Sequence, residues 1–312
     1  MSKHTRLLIT LVTLFLLGNV PCRLQAQAIT REELIFLTGE WKGERFADGR
    51  PKIPDDLIRR ARNIGIEEAW SILSNEGYNC QFEGNWKMVH PDTPIVGRAL
   101  TASFIPSRPD LEKSIKEKGK REGRIGNTNS WPIDMLSKGD VYVADGFGKI
   151  AGGTLIGDNL GNSIFSKSGN GVVFNGSARD LQGLKEIHGF NAFVRDFDPS
   201  YMEGMVLMGL NTPIRMGRAI VLPGDLVIAQ KEGVLFIPAH LAEKVIVISE
   251  FVALRDDFSH AMLKAGTFST GEIDSEWGNN IREAFLKWLQ QHPEKGKMTR
   301  AHLDSMMQKR TW

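Results

Sequence analysis

The stretch from Gly139 to Asp180 constrains the fold more than any other part of the chain. It reads Gly139-Asp-Val-Tyr-Val-Ala-Asp-Gly146, then Gly152-Gly-Thr-Leu-Ile-Gly-Asp-Asn-Leu160, then Gly171-Val-Val-Phe-Asn-Gly-Ser-Ala-Arg179-Asp180. Val141–Ala144 and Val172–Phe174 are short apolar runs of the kind that form buried strands. Each ends in a glycine-containing turn, and Asp158 opens a short helix between them. Asp158, Arg179 and Asp180 therefore fall at the ends of neighbouring elements, where a rigid scaffold presents chemistry.

The first residues are set apart from the fold. Lys3, His4 and Arg6 make a basic start, Leu7 to Leu17 is almost wholly apolar, and Ala26-Gln27-Ala28 supplies a small-residue cleavage pattern. Residues 1–28 are expected to be a secretory signal peptide cleaved after Ala28, too short in its apolar run for a stable membrane anchor. The expected location is secreted or periplasmic. Export leaves Cys80 as the single thiol, so no intramolecular disulfide can form and the core alone must hold the domain. Cys80 is expected half-buried within Tyr78–Phe82. The full chain of 312 residues carries a formal net charge of only +2, with both signs interspersed, which gives no reason to expect nucleic acid or an anionic membrane as partner.

Along the chain, residues 29–52 read as an N-terminal surface arm with one short helix. Asp55 or Asp56 is expected to cap a helix burying Leu57, Ile58, Ala61 and Ile64, and a second helix over Ile66–Glu76 turns Ala69, Trp70 and Leu73 inward. Ile95–Ile105 is a strand. Leu111–Arg124 holds six Lys and Arg residues among Glu112, Glu117 and Glu122, the mark of a solvated face. Asn127-Thr-Asn-Ser130 is a polar loop near the central stretch, and Asp196–Met205 a loop placed to overhang a site. Short strands follow, joined by Pro223-Gly224-Asp225 and by Gln230–Gly233. Leu241–Lys264 and Asp274–Gln291 are helices, the second presenting Trp277, Ile281, Phe285, Trp288 and Leu289.

Gly152 and Gly157 have the spacing of a phosphate loop, but Asp158 stands where such a loop needs Lys, and a carboxylate there repels a triphosphate. There is no dinucleotide fingerprint, and no His or Cys cluster with zinc spacing. An oxygen-rich site remains. One or two carboxylates, here Asp158 and Asp180, are the usual protein share of a magnesium or manganese shell. Arg179 beside them can pair with a substrate carboxylate or a developing oxyanion. The amides of Asn159 and Leu160, following Gly157 at the helix start, offer further donors. The alternative is structural: Asp158 as a helix cap only, and Arg179–Asp180 as a surface pair.

These residues resemble the RraA-like family, which includes the regulator of ribonuclease activity A and the class II 4-hydroxy-4-methyl-2-oxoglutarate aldolases; some members carry the older label dimethylmenaquinone methyltransferase. The similarity rests on Gly139–Gly146, the Gly157-Asp158 helix start, Asn175-Gly-Ser-Ala-Arg179-Asp180 and Pro223-Gly-Asp-Leu-Val-Ile-Ala229. Val96-Gly-Arg-Ala-Leu-Thr101 and Asn211-Thr-Pro-Ile214 are also similar. The resemblance implies an α/β fold with a β/β/α swivelling-type domain over residues 53–266, assembled as a homotrimer or hexamer. Outside the common pattern lie an insertion at about 106–131 and a C-terminal helical extension over 267–312. It implies Asp180 as direct ligand to Mg2+ or Mn2+, Asp158 as holder of a metal-bound water, and Arg179 as the group that binds substrate and stabilises an enolate. An acid from a neighbouring subunit's C-terminal helix completes the site in aldolase members, and Asp256 or Asp257 matches it best. Asn175 and Gln230-Lys231 stand where the family usually has acidic residues, so the surrounding pocket is expected to differ. The implied activity is a metal-dependent carbon–carbon lyase acting on a 4-hydroxy-2-oxo acid or oxaloacetate. The alternatives are a non-catalytic regulator and a lyase for a sugar-derived acid.

Overall fold

The structure, a computed structural model, describes residues 29–295 together with 303, 306 and 307. The signal-peptide expectation for residues 1–28 lies outside the described residues, as does most of the segment after Lys295.

In chain order the elements are α1 (Arg31–Leu37), α2 (Asp55–Ala61), α3 (Ile66–Asn75), β1 (Phe82–Glu83), β2 (Lys87–Met88), β3 (Ile95–Pro106), α4 (Pro109–Arg121), β4 (Asp140–Asp145), β5 (Thr154–Ile156), α5 (Asp158–Ser168) and β6 (Val172–Ala178). Then come α6 (Leu181–Lys185), β7 (Ala192–Phe197), β8 (Met205–Leu210), β9 (Ile214–Met216), β10 (Ala219–Val221), β11 (Leu226–Gln230), β12 (Gly233–Ile237), α7 (Ala242–Lys264), α8 (Thr270–Ile273) and α9 (Asn279–Gln291). Among the described residues, ten strands form one mixed sheet with a path β1-β12-β11-β3-β4-β6-β7-β2, while β9 and β10 form a separate hairpin. β3, β4, β6 and β7 run parallel in that order.

Side chains alternate across this sheet with a period of two. Leu100, Ala102, Phe104, Tyr142, Ala144, Val172 and Phe174 face a core shared with α4, α5 and α6. Their neighbours Ala99, Val141, Val143 and Val173 face the opposite side, where the β9–β10 hairpin adds Ile214, Met216, Ala219 and Val221. The result is a mixed α/β fold in layers, hairpin, sheet and helices. Beyond β11 and β12, Leu226, Ile228, Leu235 and Ile237 build a third core with α2, α3, α7 and α9.

Two strands change partner part-way along. β3 pairs with β11 over Ile95–Arg98 and with β8 from Ala102 to Pro106. β6 pairs with β4 up to Asn175 and with β5 at Ser177 and Ala178. The sheet therefore forks, and the short strand β5 lies along the carboxyl-terminal half of β6.

Several local expectations are corrected by packing. Pro54, not Asp55 or Asp56, precedes the first turn of α2, with no side-chain cap. Asp55 instead accepts a 2.8 Å hydrogen bond from Arg98 Nη1. Trp70 is 43 % exposed rather than inward, because Ala69, Ile72 and Leu73 already fill the buried face of α3. Cys80 is exposed, not half-buried. Trp277 precedes α9 rather than lying within it, and packs against Phe258 and Phe285. The arm does more than cover surface. Arg50 is 1 % exposed, and its Nη1 stands 3.1 Å from Asp140 Oδ2, itself fully buried at the start of β4. Burial pushes the Asp140 carboxyl up from its ordinary range, against the opposing pull of Arg50.

Helix α7 has buried residues nearly all round, among them Val245, Ile246, Ile248, Ser249, Phe251, Leu254 and Phe258. A helix buried in this way needs cover on its outer face. The C-terminal extension provides it through Trp277, Ile281, Phe285, Trp288, Leu303 and Met306.

Candidate functional site

Two strand-to-helix turns converge at the fork. β5 ends at Ile156 and passes through Gly157 into α5; β6 ends at Ala178 and passes through Arg179 and Asp180 into α6. The strands are parallel neighbours, and the Arg179 N–H donates to the Ile156 carbonyl at 3.0 Å, which ties the two turns together. The carboxyl ends of parallel strands are where open α/β sheets place ligands. Here they border a cleft of about 170 Å3 lined by Gly157, Asp158, Asn159, Leu160, Arg179 and Asp180. All six residues that the sequence singled out in the central stretch are thus brought together.

Glycine makes the arrangement possible at two points. A Cβ on Gly157 would lie 2.3 Å from Asp180 Oδ2 and 3.1 Å from Arg179 Nε. A Cβ on Gly183, in α6, would lie 2.7 Å from Asp158 Oδ2. Each carboxylate therefore occupies space that any other residue would fill. Asp180 has φ 56° and ψ 43°, the left-handed region that non-glycine residues seldom enter. That turn sends its side chain back over Gly157, where Oδ2 sits 3.4 Å from Arg179 Nε. Both side chains remain about one-third exposed or more, at 32 % for Arg179 and 42 % for Asp180.

Asp158 is the first residue of α5, and its Oδ1 accepts the Asn159 N–H at 2.7 Å. The Asn159 amide expected as a ligand donor is therefore engaged by Asp158. Gly157, not Asp158, is the N-cap of α5 and there is no side-chain cap, although a carboxylate in the first turn complements the helix dipole.

Two loops complete the walls. Asn127 and Asn129 come from the segment between α4 and β4, and Asn129 Nδ2 donates to the Leu155 carbonyl at 2.8 Å. Tyr201 and Met202 come from the loop between β7 and β8, with the Tyr201 ring centroid 4.6 Å from the Arg179 guanidinium carbon. The sequence placed both loops beside the site but singled out none of these four side chains. An aromatic at the tip of the Asp-Pro-Ser-Tyr turn was the available signal for Tyr201.

Other expected positions lie elsewhere. Asn175 faces away from the cleft, donating to Asp145 Oδ1 at 2.8 Å and accepting from Arg195 Nε at 3.0 Å. Gln230 reaches the Ile64 carbonyl at 3.0 Å. Neither Asn175 nor Gln230 lines the cleft, whereas Asn127, Asn129, Tyr201 and Met202 do. Asp256 and Asp257 lie exposed on α7, outside the cleft of their own chain. Asp257 pairs with Lys295, and Asp256 borders a larger cavity of about 560 Å3 beneath the C-terminal extension. Among the described residues, no three His, Cys, Asp or Glu side chains cluster as a metal-holding group, and no helix is long and apolar enough to cross a membrane.

The sequence model of the RraA-like family, described as Aldolase/RraA, matches residues 66–236. The chain belongs to the RraA-like family. A 4-hydroxy-4-methyl-2-oxoglutarate aldolase from Thermus thermophilus is 32 % identical over 139 residues, 42 % of this chain and 83 % of that protein. Two crystal structures share the fold. An uncharacterized protein from Pseudomonas syringae pv. tomato str. DC3000 matches with a TM-score of 0.59 at 18 % identity, over 72 % of this chain and all of that one (100 %). Streptomyces coelicolor RraAS2, described as an unusual member of the RNase ES inhibitor RraA protein family, matches with a TM-score of 0.58 at 22 % identity, over 67 % of this chain and 99 % of that one. The RraA-like match includes Gly157, Asp158, Arg179, Asp180 and Tyr201, and excludes α7, α8 and α9.

Proposed function

We propose that the cleft is the active site of a divalent-metal-dependent carbon–carbon lyase acting on a small 2-oxo acid. The observation that carries this reading is the convergence of Asp158, Arg179 and Asp180 at the ends of two parallel strands. The donor set fits a hard cation: two carboxylates seated against Gly183 and Gly157, with the cleft open for water or substrate oxygens. Asp180 would hold Mg2+ or Mn2+ directly and Asp158 through water. When bound, the ion supplies Lewis-acid polarisation of the substrate's oxo group.

The chain's own residues do the rest. Arg179 pairs with the substrate carboxylate and, as the bond breaks, with the negative charge of the pyruvate enolate. Asp158 takes up the C4 hydroxyl proton through a water. The C3–C4 bond then breaks, its electron pair enters the enolate, and a carbonyl fragment leaves. Protonation at C3 gives pyruvate. With oxaloacetate the same enolate forms by loss of carbon dioxide. A cleft of about 170 Å3 suits a ligand of this size.

The test is release of pyruvate from a panel of 4-hydroxy-2-oxo acids and oxaloacetate in the presence of Mg2+ or Mn2+. Arg179→Ala and Asp180→Ala are expected to abolish it with the fold kept. No pyruvate from any member of the panel sinks the proposal. A second reading, a lyase for a sugar-derived acid, is favoured by the Asn127 and Asn129 amides in the cleft wall, and sugar acids belong in the same panel.

The proposal extends to assembly and location. A homotrimer or hexamer would let Asp256 or Asp257 of α7 reach a neighbouring cleft, which light scattering and Asp256→Asn or Asp257→Asn kinetics test. Export with removal of residues 1–28 predicts a mature chain beginning at Ile29, read by N-terminal sequencing of the secreted or periplasmic protein.

A further inference from the structure

We propose that Tyr201 is a positioning residue for Arg179, its ring covering one face of the guanidinium so that the in-plane N–H edge stays turned toward a ligand carboxylate in the cleft. This inference rests on the lyase reading of that cleft.

Three observations carry it. The guanidinium carbon of Arg179 lies 4.6 Å from the Tyr201 ring centroid, inside the range of a cation–π contact. Tyr201 is 65 % exposed, so core packing does not explain a large aromatic at this point. The loop that carries it is nevertheless fixed. The Gly152 N–H donates to Ser200 Oγ at 2.6 Å, the Glu203 N–H to the Gly152 carbonyl at 2.8 Å, and the Asp198 N–H to the Ala178 carbonyl at 3.0 Å. Met202 forms a β-bridge with Gly153, and Asp198 caps the turn by accepting the Ser200 N–H at 2.9 Å. The hydrogen bonds from Ser200 also hold the Asp198 carboxyl below the usual carboxylate range. An exposed ring on a loop tied to the start of β5 and to the end of β6, where Arg179 follows, is presented, not left over.

The geometry divides the work on Arg179. Asp180 lies beside Nε at 3.4 Å, and the guanidinium carbon sits over the Tyr201 ring at 4.6 Å. The terminal Nη groups make no hydrogen bond to any described residue. A planar fork with one face covered and its inner edge neutralised presents two donors in a single direction, which is the geometry of bidentate carboxylate recognition. Without the ring, the long side chain samples other rotamers and the carboxylate must order it on binding.

The experiment is calorimetric titration of pyruvate, in saturating Mg2+, into the full mature chain and its Arg179→Ala, Tyr201→Phe and Tyr201→Ala variants. In parallel, the Arg179 Nε–H resonance is followed by NMR in the same variants without ligand. Tyr201→Ala is expected to weaken pyruvate binding about 2- to 5-fold, the range for an exposed cation–π contact, with Tyr201→Phe closer to wild type than to Tyr201→Ala. The ring-current shift of the Arg179 resonance is expected in the wild type and Tyr201→Phe and lost in Tyr201→Ala. Unchanged binding by Tyr201→Ala, or equal damage by Tyr201→Phe, overturns the positioning role while leaving the cleft assignment standing. If the wild type binds no pyruvate, the lyase reading fails by itself. Absence of the ring-current shift then overturns the contact, and its presence in wild type and Tyr201→Phe alone upholds it.

Discussion

Replacing Gly157 by Ala separates the site from the fold. The new Cβ would stand 2.3 Å from Asp180 Oδ2, where carbon and oxygen need at least 3.0 Å, so the carboxylate must retreat by about 1 Å or rotate away. The backbone itself tolerates the change. Gly157 has φ −121° and ψ −166°, an extended conformation open to alanine, and Gly→Ala at a compatible position gains about 0.4–1 kcal/mol from the unfolded chain. Asp180 is 42 % exposed, so its displaced side chain has solvent to enter and the folding cost stays small. A misplacement of about 1 Å at a reacting centre costs on the order of 100-fold, about 2.7 kcal/mol of transition-state stabilisation. The expected outcome is a melting temperature within a few degrees of wild type and kcat/KM for pyruvate release lower by about two orders of magnitude. Thermal melts and coupled pyruvate assays on the same preparations read both. If Gly157→Ala keeps kcat/KM within about twofold of wild type, the seat of Asp180 over Gly157 has no part in the chemistry. Loss of the fold would instead refute the local character of the clash.

Other expectations concern stability. Arg50→Met leaves Asp140, fully buried, with Arg98 Nε at 3.8 Å as its nearest cation, and should cost about 3–5 kcal/mol in chemical denaturation; a cost under about 1 kcal/mol would show that the arm does not depend on this pair. Burial pushes the Asp225 carboxyl up to about 7, so the folded state binds a proton that the unfolded chain releases near 4. Stability should therefore fall as pH rises from about 4 to 7, by roughly 4 kcal/mol from this group, and Asp225→Asn should flatten the slope measured by urea unfolding. Phe285→Ala removes a fully buried ring that contacts Phe258 and Trp277, and should cost about 3–5 kcal/mol in the same assay.

The legible parts of this chain were those decided locally. Val141–Ala144 and Val172–Phe174 declare buried strands by composition, and Asp158 declares a helix start. Arg179 and Asp180 inherit their place from the strand before them. The loops 127–130 and 196–205 could be put beside the site because they flank these elements in the fold. What stayed hidden depended on partners distant in sequence. Arg50 reads as an arm residue until Asp140, ninety positions on, is placed beneath it. Trp70 reads as core by type, yet the face it occupies has nothing packed over it to bury it fully. Asn175, read as a departure from the family pattern beside the site, bonds instead to Asp145 and Arg195 and does not line the cleft; the irregular register of β6 between Phe174 and Ser177 separates it from the Arg179 turn.

The partner changes within β3 and β6 bear on how such a protein diversifies. Each strand divides its pairing between two neighbours, and the second half of β6, with β5, leads to the cleft. The segment after Pro106 leaves β3 beyond its pairing with β11 over Ile95–Arg98 and with β4 over Arg98–Ser103, so its length can change without shifting that register. The 106–131 segment begins at the end of the β3–β8 pairing and delivers Asn127 and Asn129 to the cleft wall. A fork of this kind lets new specificity be written by loop length while the inherited register stays untouched.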